Sequence, residues 1–151
     1  DESKLSNVYI TYQNVAISLT EENLSIDSIN DLAKYSIAAF QKADKVLGNK
    51  YANAIEHSPL YLRVAKQKQQ PDLLLKKRVQ VLIMDRNIFN YFANQLQLAN
   101  VKETFTIHPI FPVTHYKMAF KKPVHLTEFN RMFDQYRYSE DYQALKRKYD
   151  L

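Results

Sequence analysis

From Val8 to Leu98 the chain alternates between short runs of β-branched, aromatic and aliphatic residues and longer segments whose apolar residues recur at helical spacing. The runs are "VYITYQNVAISL", "SIAAF", "LYLRVA" and "VQVLIM"; the segments are "SIDSINDLAKY", "KADKVLGNKYANAIEH", "QQPDLLLKK" and "RNIFNYFANQLQLA". This order predicts an α/β fold on a largely parallel sheet, because parallel neighbours need a crossover and a helix supplies it. Ser25, Asp27 and Ser28 are suited to cap a short helix carrying Ile26, Ile29 and Leu32. Pro71 with Asp72 beside it suits a helix start, whereas Gly48 weakens the helix that contains it. Downstream, "ETFTIHPIF" and "THYKMAF" read as two strands joined by a turn around Pro109 and Pro112. The end, "HLTEFNRMFDQYRYSEDYQALKRKYD", reads as two amphipathic helices with a break near Ser139.

With 151 residues, 46% of them hydrophobic, the chain is large enough for a real core. It has no Cys, so thiolate nucleophiles, disulfides and cysteine zinc sites are excluded. Gly48 is the only glycine, and this excludes the phosphate-binding loop, the dinucleotide fingerprint and the nucleophile elbow, each of which needs several. No cofactor is implied. The formal charge of +5 raises the question of a nucleic-acid partner, but clusters such as "KQKQQ", "LLKKR" and "LKRKYD" read as solvated helix faces. No apolar run approaches the roughly 18 residues that span a bilayer, and "DESKLSN" lacks a signal pattern, so the expectation is a cytosolic protein or one whose leader has been removed.

Asp85 ends the apolar run "VQVLIM", where open α/β sheets bind their ligands. It could equally cap the helix that opens at Arg86, and the two roles are compatible. His57, His108, His115 and His125 are far apart and form no helical metal pair, so no metal site is expected from them. Tyr9 and Tyr12 lie on the first strand, where an aromatic residue faces either a cleft or the core. No set of residues supplies nucleophile, base and oxyanion hole together, so no catalytic residue is assigned and the chain reads as a non-enzyme.

The segment order resembles the extracellular solute-binding proteins of family 3, the amino-acid-binding components of bacterial uptake systems. The resemblance rests on "ISLTEENLSIDSINDLAKYSIAAFQKADKVLG", on "LLLKKRVQVLIMD", and on the close "EFNRMFDQYRYSEDYQALKRKY". It implies a type II periplasmic-binding fold, a three-layer α/β lobe with two C-terminal helices, in a protein whose lobes close on a ligand by hinge bending. The family's aspartate at the end of the apolar strand binds the ligand's α-ammonium, which implies that role for Asp85. Its loop after the short strand contributes ligand contacts, and the matching residues are Gln41, Lys42 and Ala43. Tyr12 completes the set of candidates on the strand that crosses between lobes. Two departures stand out: "FQKAD" lacks the family's glycine with Ser or Thr, and Lys34 and Tyr35 stand where a glycine usually follows the "DL" helix.

The family also has about a domain's length ahead of the first crossing strand. The expectation is therefore a fragment or truncated relative: an inter-lobe strand at 1–20, a second-lobe α/β domain at 21–110, and a return strand with C-terminal helices at 111–151. Missing partners would leave apolar faces and strand edges open, so a homodimer is expected. The implied partners are an amino-acid-class ligand and a membrane permease, with no nucleic acid, and the implied location is periplasmic or extracytoplasmic. A ligand-sensing domain of a signalling protein shares all these features. A basic nucleic-acid-binding or interaction domain is the reading of another class, and it ranks behind because no groove-reading motif is visible.

Overall fold

A computed structural model of the protein describes residues 10–116 and Arg131. Tyr9 and His125 lie outside the described residues, as do both expected C-terminal helices apart from Arg131. The chain divides into two compact units, Gln13–Pro112 and a unit of Asp1–Tyr12 with Val113–Leu151. In the second of these, the described residues include the start of strand β1 and strand β6, Val113–Tyr116, which pairs with β1.

The larger unit carries β1 (Ile10–Leu19) from Gln13 onward, β2 (Ile37–Phe40), β3 (Tyr61–Val64), β4 (Val81–Asp85) and β5 (Phe105–His108), in the spatial order β3-β2-β4-β1-β5. Strand β2 is parallel to both β3 and β4, whereas β1 is antiparallel to both β4 and β5. Four of these five strands therefore point the same way, as the largely parallel expectation requires, and β1 alone runs against them. The parallel set is the part whose strands are joined by helices: α1 (Ala43–Val46) and α2 (Asn49–Ile55) follow β2, and α3 (Gln70–Leu75) follows β3. After β4 come α4 (Arg86–Gln95) and α5 (Val101–Thr104).

Both faces of the sheet are buried, and the alternation along each inner strand shows it. Leu82 and Met84 of β4, Val15, Ile17 and Leu19 of β1, and Ala38 of β2 pack in one core with Leu74, Phe89 and Ala93. Val81, Ile83, Ala16, Ile37 and Ala39 pack in a second core with Leu32, Ala43, Tyr51 and Ile55. Helices α3 and α4 thus cover one face, and α1, α2 and a 3-10 helix over Ile29–Lys34 cover the other, which makes the unit three-layered. An inner strand covered on both sides needs a continuous apolar run, and "VLIM" provides it.

Three elements differ from the sequence expectation. The "DL" helix is a 3-10 helix closed by a reciprocal capping box between Ser28 and Asp31. The helix expected over "KADKVLGNKYANAIEH" is two helices, broken at Gly48, whose φ of 91° and ψ of 174° are open essentially to glycine alone. The strand "ETFTIHPIF" begins only at Phe105; the residues before it form α5, started by Asn100, whose side chain accepts from the Glu103 amide at 3.3 Å.

Candidate functional site

The last paired residues of β2 and β4 are Ala39 and Ile83. Two residues further along the chain stand Gln41, just past the end of β2, and Asp85, the last residue of β4, so both lie at the C-terminal edge of the parallel strands, where α/β sheets place ligands. Gln41 and Lys42 are exposed in the turn after β2. Beneath this edge, Gln70 ties the two strands together: its amide Nε2 donates to the Ala38 carbonyl at 2.9 Å and the Ile83 carbonyl at 3.2 Å. Its Oε1 is buried with no hydrogen-bond partner among the described residues.

Asp85 is 6% exposed and occupied. Its Oδ2 accepts from the backbone amides of Asn87 at 2.8 Å and Ile88 at 3.0 Å, which makes it the N-cap of α4. Its Oδ1 accepts from the Gln13 amide at 3.2 Å, across the β1–β4 pairing in which Asn14 lies opposite Asp85. A carboxylate has about four acceptor directions, so three donors leave room for about one more. The capping role weighed against ligand contact in the sequence is therefore present.

Arg86, immediately after Asp85, is a residue that sequence reasoning passed over. It is half-buried, and its Nε is buried without a hydrogen-bond partner among the described residues. A signal was available, because a cation in the first turn of a helix opposes the helix dipole and calls for a reason. Tyr12, 38% exposed, belongs to the smaller unit.

A second polar grouping lies on β1 and β5. Ser18 Oγ and His108 Nε2 are 2.8 Å apart, and Thr20 and Thr106 pair their hydroxyls at the same distance further along the strands. Burial lowers the His108 pKa, while nearby Asp27 and a hydrogen bond to the Ile26 backbone partly oppose that shift. Serine, histidine and aspartate are the types a hydrolase uses, but Ser18 is only 1% exposed and its hydroxyl is closed to a substrate. The pair acts as a cross-strand lock. Among the described residues no cluster of three or more metal-ligating side chains is found, and no helix is long and apolar enough to cross a membrane.

A third grouping surrounds β3. Arg63 donates to Asp44 Oδ2 at 3.0 Å and lies 5.2 Å from the centre of the Tyr61 ring. The hydroxyls of Tyr51 and Tyr61 are 2.9 Å apart. The hydrogen bond from Arg63 holds the Asp44 carboxyl below its ordinary value, and burial raises the phenols of Tyr51 and Tyr61.

No protein-family model matches the sequence, and no curated protein matches it either. Solved structures do match. A mutant of ArgBP from T. maritima is 16% identical with a TM-score of 0.63 over 96% of this chain and 60% of its own. The substrate-binding protein of an ABC uptake transporter from Streptococcus pneumoniae with bound histidine is 15% identical, with a TM-score of 0.59 and coverages of 96% and 60%. An ancestral amino acid-binding protein, AncCDT-1, described as a precursor of cyclohexadienyl dehydratase, is 15% identical with a TM-score of 0.60, again over 96% of this chain and 60% of its own. This chain thus spans 60% of the length of these three structures. At such identities the likeness establishes the fold, and it is the type II periplasmic-binding fold that the sequence resemblance implies.

Proposed function

We propose that the chain is the ligand-binding part of an extracytoplasmic solute-binding protein, with amino acids or similar small polar solutes as ligands. The observation that carries this reading is the fold: a sheet with Asp85 at the end of β4 and Gln41 just past the end of β2, shared with structures named for binding arginine, histidine and other amino acids. In this reading Asp85 offers its remaining acceptor position to a ligand ammonium, which a charge-assisted hydrogen bond would fix in direction. Gln41 and Lys42 contact the rest of the solute from the turn after β2, Tyr12 remains a candidate from β1, and Arg86 is added as a cation for an acidic group. The protein binds rather than catalyses, and its macromolecular partner is a membrane permease. Self-association as a homodimer follows the same reading, supported by β3 ending the sheet without a further neighbour among the described residues. A single monomeric mass by light scattering across concentrations would remove the dimer.

Calorimetry of the complete gene product with pools of amino acids tests the ligand class. The decisive variant is Asp85→Asn, because asparagine keeps one oxygen for the α4 cap while its NH2 replaces Oδ1, removing the charge and the acceptor that a ligand ammonium would share with the Gln13 amide. Affinity should fall by roughly tenfold or more while the fold stays intact. Equal affinity in the variant would return Asp85 to a purely structural role.

A further inference from the structure

We propose, resting on the reading of Asp85 as a ligand contact, that Gln13 is a positioning residue linking the Asp85 carboxylate to both points at which the chain passes between its two compact units. The chain passes from one unit to the other after Tyr12 and again after Pro112. Gln13 is the first residue beyond the first passage, and Phe111 stands just before Pro112 and the second. Gln13 joins all three places: its backbone N–H donates to Asp85 Oδ1 at 3.2 Å, and its side-chain Nε2 donates to the Phe111 carbonyl at 3.3 Å. A solute that takes a share of Oδ1 is thereby felt at both passages.

The end of β4 creates the link. The register that pairs Asn14 with Asp85 would bring Gln13 opposite Arg86, but Arg86 opens α4 and β4 offers no further ladder partner. The Gln13 amide still needs an acceptor, and the Asp85 carboxylate supplies it. The two carboxylate oxygens are unequally loaded. Oδ2 holds the Asn87 and Ile88 amides at 2.8 and 3.0 Å, whereas Oδ1 holds Gln13 alone among the described residues, at the longest distance of the three. An ammonium group therefore finds its place on Oδ1, and the bond it weakens is that of Gln13 rather than those of the cap. Gln13 cannot yield alone, because its side chain holds the Phe111 carbonyl. The Phe111 ring is fixed, 5% exposed in the second core and edge-on to Tyr51 with ring centres 5.7 Å apart, so what can turn is the peptide that follows it. That carbonyl shares a peptide plane with Pro112, whose fixed φ carries the turn toward Val113.

The test is a pair of substitutions read by amide NMR of the full chain. Asp85→Asn reproduces the loss of Oδ1 without any ligand, since an NH2 then stands where Oδ1 accepts from Gln13. Shifts should appear at the Gln13 amide and, through its side chain, at Phe111 and Val113. Gln13→Met keeps the backbone amide and the length of the side chain but removes the Nε2 donor. In that background Asp85→Asn should still move the amide at position 13, while its effect at Phe111 and Val113 should fall to that at Lys76, which ends α3 ahead of β4. A packing role alone would alter the starting spectrum of Gln13→Met and leave its response to Asp85→Asn as large as before. No response at Phe111 and Val113 in the parent, or an equal response with and without the Gln13 side chain, would overturn the proposal. Because no ligand is added, either result stands whatever calorimetry shows of the ligand class.

Discussion

At the end of β4, Asp85 is 6% exposed and accepts three backbone hydrogen bonds. Past the end of neighbouring β2, Asp44 gives one oxygen to Arg63, and its other oxygen is buried with no hydrogen-bond partner among the described residues. Both residues follow parallel strands at the same edge of the sheet, so sequence position alone would rank them together. What separates them is the backbone each meets. Asp85 stands at the opening of a helix of 10 residues, whose first amides need acceptors. Asp44 lies inside a helix of four residues, where the carboxylate looks outward to β3. A strand-end carboxylate is thus bonded to backbone amides when a long helix begins on it, and paired with a side chain of the next strand when one does not.

The largest expected effect tests how firmly the β4–α4 corner is built. Phe89 is 1% exposed on α4 and meets Phe105 edge-on, with ring centres 5.0 Å apart at 88°. Phe89→Ala should destabilise the fold by about 3–5 kcal/mol, read from urea unfolding. A cost under about 1 kcal/mol would mean that this corner is no better packed than a surface.

The β2–α1–α2 corner has its own fixed point in Gly48. A Cβ there would meet nothing within 4 Å, so space is not the constraint. The backbone is: at φ 91° and ψ 174°, Gly48→Ala should cost about 1–3 kcal/mol through strain alone. If the variant is as stable as the parent, α1 and α2 can rejoin as the single helix that the sequence pattern predicts.

That outcome bears on what the sequence could show. The strand–helix alternation and the burial of "VLIM" were legible because periodicity reports one-sided and two-sided covering directly. The helix break at Gly48 was visible only as a weakening, since one residue's φ is not a periodic property. Gln70 was hidden entirely: "KQKQQ" reads as a solvated face, yet its last residue turns fully inward to bond two strand carbonyls. At the candidate site, the position of Asp85 was legible and its two possible roles were not separable, because the Gln13 amide that occupies Oδ1 is 72 residues away. The grouping of Asp44, Tyr51, Tyr61 and Arg63 depends on how α2 packs beside β3, and no local pattern encodes that.

Removing the cap itself is the next largest effect. Asp85→Ala should cost about 1–2 kcal/mol, the ordinary value of an N-cap, whereas Asp85→Asn should cost less, keeping an oxygen for the α4 amides and losing the one that accepts from the Gln13 amide. A loss in Asp85→Asn as large as in Asp85→Ala would show that the charge and the bond from Gln13, rather than the α4 cap, hold the corner.

Between β1 and β5 a smaller, pH-dependent term is expected. Burial lowers the His108 pKa, so the folded state resists the proton that the unfolded chain accepts. Above about pH 6.5 both states are neutral and the group contributes nothing to the pH slope; as pH falls below that value, stability declines until the lowered folded pKa is reached. His108→Gln should flatten this part of the stability profile. An unchanged slope would mean that His108 is no more buried in its proton chemistry than a free imidazole.

The smallest effect on stability, and the sharpest on the comparison, concerns Arg63. Its pair with Asp44 is solvent-screened, with 55% of the Arg63 side chain exposed, so Arg63→Gln should leave the urea midpoint unmoved. Asp44 would lose its side-chain partner, and its carboxyl would return toward the ordinary value, below which the Arg63 hydrogen bond now holds it. A fall in the midpoint would mean that this pair holds the corner beyond β2 as firmly as the α4 amides hold the one at β4, and the contrast between the two carboxylates would fail.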